Sequence, residues 1–447
     1  MKTFIKNATI INEGQSLKGS LLIVDGIIKS VFKDFMLKAN IDADEIIDAS
    51  NLILIPGVID THVHFREPGL TRKADIRSET VAAAAGGITS FMDMPNTIPA
   101  ATTIRELEKK YETAKEKSLI NYSFYLGATN QNISEIKKIN AENTCGVKIF
   151  MGSSTGNMLA DDEKNIEKIF EQSPALIAVH CENEDIIKNN TAYFKNKFGD
   201  SIPFEYHDRI RSSEACVTAT RHVIKLAEKY KSRLHILHIS TAKETEMLAD
   251  CKSNRFISAE TCPHYLWFCN DDYKSMKGLV KCNPAIKTQA DRNALQQAVL
   301  QGIINVIATD HAPHLLDEKH SDYLNCPSGL PSVQHSLNIM LELVNKKILT
   351  IEKVVECMCH NPARIFSVKN RGFIREGYKA DIVLIKSDTK WQADKSNILY
   401  KCAWTPFENL IFNYKITHTF VNGNLVYNNG KIHENIKGER LIFEKNQ

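Results

Sequence analysis

The sequence predicts an α/β protein: a (β/α)8 barrel of the TIM type, carrying a small β-sandwich built from both chain ends. Three observations carry that prediction. Between about residues 55 and 365, short apolar runs alternate with amphipathic helical stretches, the pattern of βα units around a parallel sheet. Eight such runs fall within about 290 residues, the size of a closed barrel with insertions. On either side of this region the texture is strands and turns with no helical period. The expected division is therefore a β-sandwich from residues 1–55 and 366–447 and a barrel from residues 56–365.

Taken in order, residues 4–11 alternate apolar and polar, residues 21–25 run into Gly26, and residues 27–32 follow as a third strand. The barrel strands are read at 58–64, 88–94, 122–127, 146–151, 175–180, 234–238, 256–260 and 304–310, each ending in polar residues or glycine. Helices are read between them, including 103–117 with a Glu/Lys-rich face, 163–171 and 214–231. The longest insertion, about residues 189–211, is polar and aromatic and reads as a surface excursion. Past residue 365 strands return, and Val421-Asn422-Gly423-Asn424 is a strong hairpin signal.

Composition narrows the function classes. The chain has 447 residues, 43% hydrophobic and 24% charged, with a net charge of +3. That balance gives no reason to expect nucleic acid or a membrane surface as partner. No apolar run reaches the roughly 18 residues of a membrane span, and the N-terminus lacks a signal-peptide core. Eleven scattered cysteines suggest reduced, packed thiols rather than a disulfide framework, so a cytoplasmic location is expected.

The chemistry lies at the strand ends. The first strand ends in His62 and His64, which, two residues apart, project to the same side. The fourth carries Lys148 in an apolar run, the fifth ends at His180, the sixth at His238, and the eighth at Asp310. Singly, each has an ordinary explanation: a hydrogen-bonded core histidine, a snorkelling lysine, a helix cap. Together they gather at the barrel end where such enzymes carry their chemistry. Neutral imidazoles and a carboxylate suit Zn²⁺, and two such ions can share a bridging hydroxide. A lysine has the wrong charge there, but a desolvated amine loses its proton readily. It can then add CO₂ to give an anionic carbamate that bridges both metals, so carbamylation of Lys148 is expected. Asp161 and Asp162, in the loop that follows, are the fallback bridging carboxylates; they read more simply as polar residues preceding a helix. Arg66, two residues after His64, offers a planar fork suited to a carboxylate.

These residues resemble the dihydroorotases, cyclic amidohydrolases of the amidohydrolase superfamily, along essentially the whole chain. The specific pieces are Asp60-Thr-His-Val-His-Phe-Arg-Glu-Pro-Gly69, Met92-Asp-Met-Pro-Asn-Thr97, Lys281-Cys-Asn-Pro284 and Ala308-Thr-Asp-His-Ala-Pro-His314. Asn361-Pro-Ala-Arg364 and Gly377-Tyr-Lys-Ala-Asp381 are shared across the wider superfamily and support the fold only. The resemblance implies two Zn²⁺ per subunit: His62, His64 and Asp310 on the more buried ion, His180 and His238 on the second, carbamylated Lys148 between them. Asp310 would act as general base and return the proton to the leaving ring nitrogen. Arg66, Asn96 and His314 would bind the substrate carboxylate, and Asn283 another part of the ring. The loop from His314 through Ser328-Gly329-Leu330-Pro331 would be a lid, and His264 structural. The implied reaction is the reversible interconversion of (S)-dihydroorotate and N-carbamoyl-L-aspartate in de novo pyrimidine (UMP) synthesis. A homodimer is the oligomeric expectation, although the sequence carries no signal for it.

Two other readings compete. Hydantoinases, dihydropyrimidinases and allantoinases share the fold, metals and ring-opening chemistry. Their substrates lack the ring carboxylate, which leaves Arg66 little to bind. A non-catalytic dihydroorotase-like structural partner would be expected to have lost metal ligands, and none is missing here.

Overall fold

The computed structural model describes residues 1–33, 41–151, 158 and 162–445. The first five strands are β1 (Lys2–Asn12), β2 (Gln15–Val24), β3 (Ile27–Lys33), β4 (Glu45–Asp48) and β5 (Leu52–Pro56). Eight more follow: β6 (Val58–Val63), β7 (Ile88–Asp93), β8 (Asn121–Gly127), β9 (Gly146–Phe150), β10 (Ile177–His180), β11 (Leu234–Ile236), β12 (Ile257–Thr261) and β13 (Val306–Ile307). These eight form one sheet in strict chain order, and every described pairing within it is parallel. All residues of β6 to β11 are buried, because helices cover one face and the barrel interior the other. This double burial is why the strands read as continuous apolar runs.

The barrel closes between its ends. Val63 bridges to His311 in parallel sense, and the His64 amide donates to the His311 carbonyl at 2.8 Å. Asp60 braces the seam by accepting from the Thr309 amide at 3.1 Å and its hydroxyl at 2.7 Å. Regular β-structure at β11 and β13 is shorter than read from sequence; left-handed backbone at His238 and Asp310, φ +39° and +48°, interrupts the ladder there, and pairing resumes just beyond at Ile239 and His311.

The remaining strands are β14 (Ile382–Lys386), β15 (Trp391–Gln392), β16 (Ile411–Phe412), β17 (Lys415–Val421), β18 (Asn424–Asn428) and β19 (Lys431–Ile432). Strands from both chain ends interleave in one nine-stranded sheet, where β5 lies between β1 and β14. The sheet branches at β1, whose first half pairs β4 and whose second half pairs β5. Its inward residues, among them Ile5, Leu21, Ile28, Leu54, Ile382 and Phe420, form a separate apolar cluster. The predicted hairpin is present: Val421 pairs Asn424 across Asn422 and Gly423, both at positive φ, as a type I′ turn requires.

Helix ends follow local chemistry. Thr103 caps Ile104–Lys117, Asp162 caps Glu163–Gln172 and Ser212 caps Ser213–Tyr230. Asp162 is thus an exposed cap, as its simpler reading has it, and Asp161 lies outside the described residues. The insertion read as a surface excursion is more ordered than expected. It holds most of the helix Glu184–Phe198 and packs Phe194, Ile202 and Ile210 into a cluster with Tyr323, a residue of the loop after β13.

Asp381 of the shared superfamily segment has a structural task. It is buried, receives the Arg371 guanidinium and the Asn422 amide, and also accepts from Asn121 of β8 at 3.2 Å. Arg371 reaches Glu439 as well, at 2.8 Å, so one buried cation gathers these C-terminal groups while Asp381 carries the link to Asn121 of the barrel. Replacing Arg371 with leucine leaves the Asp381 carboxylate buried and uncompensated, a cost of about 3–5 kcal/mol. Thermal unfolding should show a clear drop in Tm, while the activity of the remaining folded protein is kept.

Candidate active site

The strand-end residues converge as a result of barrel closure. His62 Nε2 and His64 Nε2 lie 3.1 and 3.0 Å from the same oxygen, Asp310 Oδ1. The ligand atoms of these three buried residues all lie within 4.8 Å of one another, compatible with one metal ion. Across the same cavity, His180 Nδ1 faces His238 Nε2 at 2.9 Å, and the His238 ring centroid is 5.4 Å from that of His62. Lys148 stands in the cavity wall with its ammonium 4.5 Å above the Phe150 ring. The cavity, about 540 Å³ and open to solvent, is lined by all six of these residues together with Arg66, Asn96, Asn283 and the loop residues Ser328 and Gly329.

Burial shapes the charges. It pushes the Lys148 amine down to about 7, so a free-base fraction exists at neutral pH. Burial also works against the Asp310 carboxylate, but His62 and His64 outweigh it and hold the group well below the usual carboxylate range. His180 and His238 are held below the ordinary imidazole value by burial, His238 strongly, which favours the neutral ligand form. Arg66, His238 and Asp310 all have positive φ, each costing on the order of 1–3 kcal/mol, and this strain is concentrated at one site.

The donor set fits a metal pair. Convergent imidazole nitrogens, one shared carboxylate oxygen and a desolvated amine are crowded together, and among the described residues the ion-pair partners of Asp310 are histidines. The ring nitrogens facing away from the cavity are held by groups that sequence reading overlooked. Glu260, at the end of β12, meets His62 Nδ1 at 2.6 Å, His235 Nε2 at 3.0 Å and the Thr61 hydroxyl at 3.0 Å. Glu182 meets His180 Nε2 at 2.9 Å and is itself paired with Arg211. Burial alone would raise the Glu260 carboxyl, yet His62 and His235 bring it down to about 2; against burial, Asp310 and Glu260 in turn raise the His62 imidazole to about 9, and with a metal on Nε2 Glu260 would accept the Nδ1 hydrogen. The overlooked signals were a buried acid within the seventh barrel strand and an acid two residues past His180.

Among the residues expected to bind substrate, Arg66, Asn96 and Asn283 line the cavity. His314 does not; it sits behind Arg66, with its Nε2 3.1 Å from the guanidinium. His264 also lies outside the wall, its ring tilted against Tyr265 with centroids 4.2 Å apart. The expected lid lies at the cavity edge and is tied down: the Lys319 amine donates to the carbonyls of Lys281, Pro327 and Gly329 at 2.7–3.0 Å. Gly329, at φ +134°, has no room for a side chain, because a Cβ would meet the Ala312 carbonyl at 2.6 Å.

Replacing Glu260 with glutamine should lower metal affinity about 10–100-fold, by analogy with other carboxylate–histidine pairs. Competition with a chromophoric chelator measures it, with circular dichroism confirming that the fold is kept.

Comparison with known proteins agrees with this chemistry. The amidohydrolase family model matches residues 53–426. A dihydroorotase of Methanosphaera stadtmanae is 34% identical over 420 residues, spanning 93% of this chain and 94% of that protein. One of Pyrococcus furiosus is 32% identical over 87% of this chain and 85% of its own length. Among solved structures, the L-hydantoinase of Arthrobacter aurescens superposes with a TM-score of 0.92 at 25% identity, covering 96% of this chain and 97% of that one. The dihydropyrimidinase of Brevibacillus agri gives 0.90 at 26%, covering 100% and 99%. Helices long and apolar enough to cross a membrane are absent among the described residues. With its metal-type ligand cluster on a shared barrel, the chain belongs to the amidohydrolase family and is, with its dihydroorotase relatives, a cyclic amidohydrolase enzyme.

Proposed function

We propose that this enzyme is a dihydroorotase that interconverts (S)-dihydroorotate and N-carbamoyl-L-aspartate in pyrimidine synthesis, using two Zn²⁺ bridged by carbamylated Lys148. The observation that carries the substrate assignment is Arg66. Its guanidinium is buried in the cavity wall and, among the described residues, has a backbone carbonyl and an imidazole as polar partners but no carboxylate in ion-pair range. Burial lowers it to about 10, still charged at neutral pH. A desolvated cation facing a small cavity calls for an anionic ligand, and a ring carboxylate meets its fork geometry.

The neighbours complete a receptor. Asn96 accepts from His64 Nδ1 through its Oδ1 at 2.7 Å, which leaves its amide N–H groups to donate to a carboxylate. Asn283 Oδ1 is buried without a hydrogen-bond partner among the described residues and can accept from a ring N–H. Zn²⁺ held by His62, His64, Asp310, Lys148, His180 and His238 would activate water and polarise the ring carbonyl. The Asp310 carboxylate, ionised across the neutral range, takes the proton from the attacking water and delivers it to the leaving ring nitrogen. In the synthetic direction the same residues run in reverse.

Dihydroorotate, hydantoin, dihydrouracil and allantoin should be compared with and without added Zn²⁺. Dihydroorotate is expected to be turned over best. Preferred turnover of hydantoin or dihydrouracil would instead favour the activity named for the structural neighbours. For Arg66→Met, kcat/KM for dihydroorotate should fall by about 1,000-fold or more, about 4 kcal/mol and beyond the roughly 1.5–3 kcal/mol of a charged hydrogen bond. Unchanged turnover would refute the assignment. For the bridge, ¹³C NMR of protein equilibrated with labelled CO₂ should show a carbamate signal that is lost in Lys148→Gln.

A further inference from the structure

The imidazole behind Arg66 has more donors around it than it can serve. His314 Nε2 lies 3.1 Å from Arg66 Nη2 and 3.1 Å from the Ser328 carbonyl oxygen, while its Nδ1 lies 2.9 Å from the Lys73 ammonium. The ring is buried among Arg66, Lys319 and Lys73, and it is held neutral. A neutral imidazole has one N–H and one lone pair. An ammonium and a guanidinium can only donate, so His314 can accept from Lys73 or from Arg66, but not from both.

The surroundings of Lys73 decide which. Its ammonium is anchored 3.0 Å from Glu318 Oε2, and Glu318 is in turn fixed by Arg72 at 2.9 Å and by the Leu315 amide at 3.0 Å. With Nδ1 accepting from Lys73, Nε2 carries the hydrogen and donates to the Ser328 carbonyl, so both ring nitrogens and the ammonium are satisfied. Arg66 Nη2 then faces an N–H and is not engaged by the ring; the acceptors favour this tautomer, because Nε2–H has the Ser328 carbonyl at 3.1 Å whereas the nearest carboxylate to Nδ1, Glu318 Oε2, is 3.7 Å away. In the opposite tautomer Arg66 would be engaged by His314, and the Lys73 ammonium would be pressed against an N–H.

We propose that Lys73, held by Glu318, is a positioning residue that locks His314 in its Nε2–H tautomer and thereby keeps the Arg66 guanidinium free for the substrate carboxylate. This inference rests on the dihydroorotase reading for the substrate, but not for the tautomer. The same lock ties Ser328, in the cavity wall, to the loop after β6. Removing Lys73 lets the ring flip its proton to Nδ1 and accept from Arg66, so that an internal partner competes with the substrate.

The test joins spectroscopy to kinetics. In protein labelled with [¹⁵N]histidine, the His314 signals, assigned by their loss in His314→Gln, should report protonated Nε2 in the native enzyme and protonated Nδ1 in Lys73→Met. KM for dihydroorotate should rise at least about tenfold in Lys73→Met with kcat within about threefold, and Lys73→Arg, which can still donate to Nδ1, should restore both the tautomer and KM. A native Nδ1–H tautomer, or an unchanged one in Lys73→Met, overturns the proposal, as does a loss confined to kcat. If the enzyme proves to prefer an uncharged ring, the substrate reading fails while the ¹⁵N measurement still decides the tautomer.

Discussion

The barrel seam between β6 and the segment after β13 is the constraint on which the site depends. Val63 pairs with His311 across it, and three residues earlier on the same strand Asp60 grips Thr309. His62 and His64 project from one flank and Asp310 from the other, so closure itself brings two imidazoles within about hydrogen-bond reach of one carboxylate oxygen. An open sheet with the same strands would leave these groups at opposite edges. Asp60 is wholly buried, and burial pushes its carboxyl up to about 7 despite the hydrogen bonds from Thr309. The seam is therefore a polar staple in a desolvated place, a device that holds geometry more than it adds stability.

Desolvation is the second theme. The same burial that lowers the Lys148 amine leaves Arg66 a desolvated cation with no carboxylate in ion-pair range among the described residues and favours neutral His180 and His238. Carboxylates at one remove impose order on these groups. Glu260 holds His62, Glu182 holds His180, and the pair Lys73–Glu318 faces His314. Each ring with such a partner has one nitrogen fixed outward, which leaves the other a defined role.

Much of this was legible in the chain. The alternation of apolar runs with helical stretches located all eight barrel strands, and Asn422-Gly423 located the hairpin, because burial on both faces and positive φ leave strong local signatures. The lengths of β11 and β13 were overestimated, since left-handed backbone at His238 and Asp310 is imposed by their tertiary setting and the mild preference of histidine and aspartate for that region is too weak to mark it in the chain. The insertion near residues 189–211 looked like a polar excursion, and its packing against Tyr323 depends on a residue more than a hundred positions away.

The sequence by itself determined the fold class and the inventory of the site: histidines, a lysine and an aspartate at strand ends, with an arginine two residues beyond His64. Those are properties of period and local chemistry, and they survive without coordinates. The tertiary structure alone decided which groups face one another. It placed His314 behind Arg66 rather than in the cavity wall, gave Glu260 and Glu182 their histidines, and set Lys73 against an imidazole 241 positions away. Contacts at that separation are fixed by how the barrel closes and its loops pack, which no local pattern encodes.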